Sequence, residues 1–153
     1  MKIKISFFFL VIQLSVSCVC SYNGVHDLGN NLVLLEGDRK EDRVIVYCTN
    51  NKDKCCSGGL PIIPKVNSQF DRGANAEYVE FANSNLNWVI VKSIALNGEI
   101  THYWIIDKGF NIANVLCDSV NCDSILHSYV IGPLTKIAFE DTLKQKNIDL
   151  HFE

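Results

Sequence analysis

Seven cysteines are the residues of this sequence whose type and spacing point most directly to chemistry. A cysteine can carry a lipid, form a disulfide or bind a soft metal ion, and its compartment and neighbours decide among these. Cys18 directly follows an apolar segment, whereas most of the others lie in the body of the chain. If Cys18 carries a lipid, an even number of cysteines remains for disulfides. These six are Cys20, Cys48, Cys55, Cys56, Cys117 and Cys122.

The N-terminus has the pattern of an export signal. Lys2 and Lys4 form a positive region, and residues 5–16 form an apolar region of about a dozen residues. An uncleaved membrane anchor needs about twenty apolar residues, so this segment is too short to be one. We therefore predict a signal peptide and tether over residues 1–21 and a single globular domain over residues 22–153.

Two processing routes remain open around Cys18. A bacterial lipobox places a small residue directly before the lipidated cysteine, and Ser17 meets that requirement. The usual leucine three residues before the cysteine is displaced by one, to Leu14. The alternative is ordinary signal peptidase cleavage, with Ser15 and Ser17 as the small pair or at a site a few residues further on. The cysteine count favours lipidation of Cys18, which would tether the protein to a membrane.

Short loops bring other cysteines close together in sequence. Cys48 ends a predicted strand, and a short loop separates it from the adjacent Cys55 and Cys56. We predict a bridge from Cys48 to one of these two, because closing so short a loop is geometrically easy. Cys117 and Cys122 bracket four residues and predict a second local disulfide.

The four histidines are isolated in the sequence. His127 could complete a soft metal set with Cys117 and Cys122, but zinc sites prefer four ligands and commonly pair them as Cys-x-x-Cys. No motif of a serine hydrolase, a metalloenzyme or a nucleotide-binding enzyme is present in the sequence. We predict no catalytic residue, no metal and no cofactor, and an enzyme with a dispersed active site is the less favoured alternative.

Residues 87–108 are predicted to form a β-hairpin. Two runs rich in Trp, Val, Ile, Thr and Tyr flank Asn97-Gly98, which suits a tight type I′ turn. His102 and Trp104 share one face of the second arm, because side chains alternate along a strand, and Trp88 lies in the first arm. Trp88, His102 and Trp104 are the candidate binding face, and packing in the core is the simpler interpretation.

The sequence predicts an α+β fold that is mostly β, with one antiparallel sheet of about five to seven strands. Residues 32–36 and 43–48 read as an antiparallel pair, and the alternation over residues 76–82 places Val79 and Phe81 on one side of a strand. Residues 135–146 are the one predicted helix, packed on the sheet. Thr135 is its predicted N-cap.

Two regions are predicted to lack regular structure or to end it. Residues 108–128 have no hydrophobic period and are predicted to leave the sheet. Gly132-Pro133 is predicted to stop a strand that begins at Ser128. A short final strand or extended segment, with Ile148, Leu150 and Phe152 alternating with polar residues, can lie back on the sheet.

The composition excludes one class of partner. The 153 residues are 48% hydrophobic and carry a formal net charge of −3, and loss of Lys2 and Lys4 would lower it to about −5. The basic residues are scattered among Asp and Glu, whereas binding to nucleic-acid phosphates needs clustered Lys and Arg. We therefore predict no nucleic-acid partner.

A resemblance adds to these predictions. The export signal ending at a cysteine occurs together with the runs Trp88-Val-Ile-Val-Lys92 and Tyr103-Trp-Ile-Ile-Asp-Lys108, and with Gly132-Pro-Leu-Thr135 followed by Phe139. In this combination the chain resembles small bacterial envelope lipoproteins assigned to domains of unknown function. The resemblance implies an envelope location and carries over no catalytic residue.

The function predicted from these features is that of an exported module. It is membrane-tethered through Cys18 and binds a ligand or a protein of the cell envelope. The alternative is a secreted, soluble effector or inhibitor, which would follow if Cys18 carries no lipid.

Overall fold

The protein is described by a computed structural model over residues 24–49, 56, 59–65, 76–112, 115, 117 and 121–152. Within these ranges the chain forms eight strands in two four-stranded antiparallel sheets, together with two α-helices. The first sheet has the order β1 (Val25–Gly29), β2 (Leu32–Leu35), β3 (Val44–Tyr47) and β4 (Leu60–Ile63). The second has the order β5 (Glu77–Ser84), β6 (Trp88–Ala95), β7 (Thr101–Asp107) and β8 (Val130–Leu134). The helices are α1 (Cys122–Ser128) and α2 (Lys136–Gln145).

The two sheets pack face to face around one main core. Leu32 and Leu34 of β2 belong to this core, whereas Val33, between them in sequence, belongs to a separate cluster on the outer face. The mostly β, α+β character agrees with the sequence prediction, but the single sheet is wrong. Strands such as β3 are buried on both faces, so each sheet needs an apolar layer on both sides. The main core includes Ile45, Tyr47, Ile63, Val79, Val89, Val91 and Ile106.

Helix α2 covers the outer face of the second sheet, as the sequence predicts. The hydroxyl of Thr135 accepts a hydrogen bond from the backbone N–H of Ala138 at 3.3 Å, which confirms Thr135 as the N-cap. Phe139 is buried on the helix face that meets the sheet, and its ring stacks on Phe152 with 5.5 Å between centroids. The C-terminal segment follows α2 as extended chain outside any strand and adds the buried Ile148 to the same cluster.

A β-bulge in β5 changes which face Phe81 occupies. The pairing of β5 with β6 shifts between Val79 and Phe81, so Val79 lies in the core between the sheets. Phe81 lies on the outer face, where its ring meets that of Phe152 at 5.8 Å. The prediction that Val79 and Phe81 share a face is therefore wrong, because the extra residue of a bulge reverses the alternation.

The hairpin predicted over residues 87–108 is confirmed, but its turn is longer than a two-residue type I′ turn. β6 ends at Ala95 and β7 begins at Thr101. The Ala95 N–H donates to the carbonyl of Ile100, and the Gly98 N–H donates to the carbonyl of Ala95. Gly98 has a positive φ of 75°, whereas Asn97 does not, so the pair cannot form a type I′ turn.

Three further elements differ from the sequence predictions. β1 forms within a polar, glycine-bearing stretch in which the sequence predicts no strand, because its backbone pairs with the apolar β2. α1 forms within the predicted irregular excursion, where the side chain of Asn121 caps the N–H of Ser124. β8 continues through Gly132-Pro133 to Leu134, which an edge strand with a shifted register tolerates.

Candidate functional site

A hydrogen-bonded cluster of polar side chains lies on the inner face of the second sheet. β6 and β7 pair so that Ser93 is opposite His102, and the start of β5 places Glu77 beside both. The Ser93 hydroxyl donates to Oε2 of Glu77 at 2.7 Å, and Nδ1 of His102 lies 2.7 Å from Oε1 of the same carboxylate. The indole N–H of Trp104 donates to the Ser93 hydroxyl at 2.8 Å.

The geometry of this cluster favours a structural role over nucleophilic chemistry. A catalytic serine gives its proton to a base that is itself held by a third group. Here Ser93 and His102 bind separate oxygens of Glu77, so the histidine is not the partner of the hydroxyl. Ser93 is also completely buried, so its oxygen cannot meet a substrate. The cluster instead satisfies polar groups inside the sandwich.

The structure brings together two of the three residues of the candidate binding face. The rings of His102 and Trp104 meet edge to face at 6.1 Å. Trp88 lies on the opposite face of the sheet, in the cluster under α2, with the ammonium of Lys146 5.4 Å from its ring centroid. The three residues therefore do not form one surface, and ligand contact by any of them stays a prediction.

The cysteines pair as the sequence predicts, where they lie in described residues. Cys48 is bonded to Cys56, with 5.7 Å between their Cα atoms. Cys117 is bonded to Cys122, with 5.3 Å between their Cα atoms. The bridge from Cys48 thus goes to the second of the two adjacent cysteines. Cys18, Cys20 and Cys55, including the predicted lipidation of Cys18, lie outside the described residues.

His127 does not combine with the neighbouring cysteines in a metal set. Both sulfurs of Cys117 and Cys122 are used in their mutual bond. Nδ1 of His127 lies 2.8 Å from the backbone carbonyl of Asp123 and 3.2 Å from its carboxylate. Across the described part of the chain, no group of three or more His, Cys, Asp or Glu side chains is placed to hold a metal ion.

An open depression of about 650 Å³ lies between α2 and the C-terminal segment, and we call it the α2 depression. It forms because the left-handed Asn147 ends the helix and turns the chain back along it. Charged groups of both signs line it, and His151 pairs with Asp149 at 3.3 Å. The lining residues are Glu140, Leu143, Lys144, Asn147, Ile148, Asp149 and His151.

The sequence analysis did not identify the residues that build the cluster around Glu77 or those that build the α2 depression. Glu77 reads only as the polar partner in an alternating strand, and Ser93 as a polar residue in an apolar run. Ser93 alternates with Val89 and Val91 on one face of the strand, and a serine on such an apolar face is the signal that it needs an internal partner. The α2 depression depends on how the chain folds back after Asn147, which no local pattern specifies.

No protein-family model matches the chain, and neither a curated protein nor a solved structure matches it. Within the described ranges, neither helix is both long and apolar enough to cross a membrane.

Proposed function

We propose that this protein is an exported, membrane-tethered binding module, anchored through Cys18 and holding a peptide segment of an envelope partner in the α2 depression. The observation that carries the export is the pair of disulfides, Cys48 with Cys56 and Cys117 with Cys122. Disulfides persist in oxidising compartments and are rare in the cytosol. The signal pattern at the N-terminus supports the same location.

The lining of the α2 depression supports a peptide as the ligand. Glu140 and Asp149 supply negative charge, Lys144 supplies positive charge, and Leu143 contributes apolar surface. A peptide carries side chains of both charges and of apolar character together with backbone donors and acceptors, so it can match such a mixed lining. A strongly charged ligand of one sign would meet a group of its own sign here.

Lipid labelling tests the anchor. Cells that express the full-length protein are grown with labelled palmitate, and the Cys18→Ala variant is the matched control. We expect label on the wild-type protein and none on the variant. An unlabelled wild-type protein recovered from the medium would support the secreted, soluble alternative and contradict the tether.

Capture from the native envelope tests the binding site. The wild-type protein and a Lys144→Glu variant are compared as baits, with Lys136→Glu, in the first turn of the same helix, as the control. We expect one partner to be retained by the wild type and by Lys136→Glu and to be lost by Lys144→Glu. Equal retention by all three baits would place the binding site elsewhere.

A further inference from the structure

Exposed apolar side chains are concentrated at one end of the sandwich. Leu96 and Ile100 lie in the loop between β6 and β7, with 39% and 49% of their surfaces exposed, and Ile137 in the first turn of α2 is 75% exposed. We call these three the tip residues. Leu86 is 88% exposed but lies in the turn between β5 and β6, at the opposite end of β6.

The pairing of β8 places Ile137 at the same end as the other tip residues. Val130 at the start of β8 is opposite Ile106, and Leu134 at its end is opposite Tyr103. β8 therefore runs toward the start of β7, where the loop with Leu96 and Ile100 lies. α2 begins two residues after Leu134.

The start of the described domain lies at this end as well. The carbonyl of Gly24 accepts a hydrogen bond from the N–H of Glu36 at 2.8 Å, and Glu36 pairs with Arg43 at 3.4 Å. The carbonyl of Arg43 in turn accepts from the N–H of Val79 at 3.0 Å. Val79 lies in the first half of β5, the half that is next to the Leu96 loop.

The length of the connection to Cys18 limits how far the domain can stand from the anchor. Six peptide units join Cys18 to Gly24, and they span at most about 22 Å when fully extended. β6 alone has eight residues and is about 26 Å long. A lipid on Cys18 would therefore hold the Gly24 end close to the bilayer, while the far end with Leu86 stays out of reach.

We propose that the tip residues Leu96, Ile100 and Ile137 dock on the lipid bilayer and fix the orientation of the domain. This proposal rests on the tether of the proposed function. The free energy of exposed aliphatic side chains falls when they leave water and enter the boundary between head groups and acyl chains. The lipid anchor removes most of the entropic cost of bringing them there.

The charges at this end favour an apolar contact over an electrostatic one. Charges of both signs occur here: Glu36 pairs with Arg43, Asp42 with Arg39 and Glu80 with Lys40. Glu99 lies in the loop that carries Leu96 and Ile100, and Lys136 directly precedes Ile137. No net positive charge is left to attract anionic lipid. The docking should therefore respond little to salt or to the anionic lipid content.

Quenching of an added tryptophan by brominated lipid tests the docking. Full-length protein is purified from membranes and reconstituted into vesicles of phosphatidylethanolamine and phosphatidylglycerol, with and without bromine on the acyl chains. The variants are Leu96→Trp at the tip and Leu86→Trp as the control at the far end, both read against the wild-type baseline. We expect quenching of the added emission to be at least about twofold greater for Leu96→Trp.

The outcomes separate the docking from the tether. Protein that floats with the vesicles but shows equal quenching at both positions overturns the docking and leaves the tether standing. Protein that stays out of the vesicle fraction overturns both.

A second variant changes Leu96, Ile100 and Ile137 together to serine. It should still float with the vesicles, and the circular dichroism of its native tryptophans should equal that of the wild type, which shows that it is folded. In that background an Asn97→Trp probe should lose at least about half of the quenching it shows with the tip intact, and unchanged quenching contradicts the proposal.

Discussion

Asn30 and Lys108, 78 residues apart, join the two sheets, because the side chain of each donates a hydrogen bond to a backbone carbonyl of the other one's segment. The Asn30 amide donates to the carbonyl of Lys108 at 2.8 Å and to that of Phe110 at 3.1 Å. The Lys108 ammonium donates back to the carbonyl of Leu28 at 2.6 Å, and burial lowers the pKa of Lys108 while Asp27 partly offsets the effect. The pair closes the end of the sandwich that lies away from the tip residues.

Replacing Asn30 should loosen this end. Asn30→Gly removes the side-chain bonds but tolerates the φ of 52°, so we expect a loss of about 1 kcal/mol in the free energy of unfolding. Asn30→Ala also places alanine in a left-handed backbone conformation that it disfavours, so its free energy of unfolding should fall by about 2 kcal/mol. Urea denaturation measures both. Equal stability of the glycine variant and the wild type would contradict a role for the side chain.

Ser93→Ala should destabilise the protein more than a typical serine change. It leaves the Trp104 N–H without its acceptor and removes a donor to Glu77 inside the sandwich. We expect a cost of about 1 to 3 kcal/mol, measured by urea denaturation. Ser84→Ala, half-buried in the same sheet, is the control and should stay within about 0.5 kcal/mol of the wild type. A Ser93→Ala variant as stable as that control would contradict the network.

Glu80 should contribute stability that depends on pH. The ammonium of Lys92 hydrogen-bonds to the Glu80 carboxylate and, with the charge of Lys40, lowers the pKa of Glu80 below its ordinary value of 4.5. A lowered pKa means that the contribution is complete above pH 4.5 and disappears as the pH falls through the folded-state value. We therefore expect Glu80→Gln to cost about 0.5 to 1 kcal/mol at pH 7.

The pH dependence provides the check on this pair. Unfolding of wild type and Glu80→Gln is compared at neutral pH and at the lowest pH at which both fold, with the exposed Glu99→Gln as the control. The difference between wild type and Glu80→Gln should shrink toward zero at the low pH. A difference that persists or grows there would contradict the Lys92 pair.

Non-reducing peptide mapping should recover two linked peptides, one joining Cys48 to Cys56 and the other joining Cys117 to Cys122. Each short loop implies about 2 to 3 kcal/mol of stabilisation by restriction of the unfolded chain. Removal of either bridge by paired change to serine should lower the free energy of unfolding by about that amount. Free thiols at Cys117 and Cys122 in protein from its native compartment would overturn the second bridge.

Local patterns predicted the elements whose signals are local. Thr135 with the apolar stripe that includes Phe139 specifies α2, and the β-rich arms around Gly98 specify the hairpin. Cys117 and Cys122 lie close enough in sequence for their bridge to follow from loop length. In these cases the residues that decide the structure are neighbours in the sequence.

Other features depend on partners far away in the chain. The bulge before Phe81 is stabilised by Arg43, whose guanidinium donates to the Glu80 carbonyl at 2.7 Å, 37 residues away. The division into two sheets depends on contacts such as that of Asn30 with Lys108. The Glu77 cluster likewise needs three strands in register. No window of the sequence contains both members of these contacts, so pattern reading could not find them.

The mass of the protein isolated from the native envelope tests the central claim of an exported, tethered module most directly. Intact mass and analysis of the N-terminal peptide should show a chain that begins at Cys18, carries lipid on that residue and has lost residues 1–17. A chain that keeps residues 1–17, or one that begins elsewhere with no lipid, would contradict the tether.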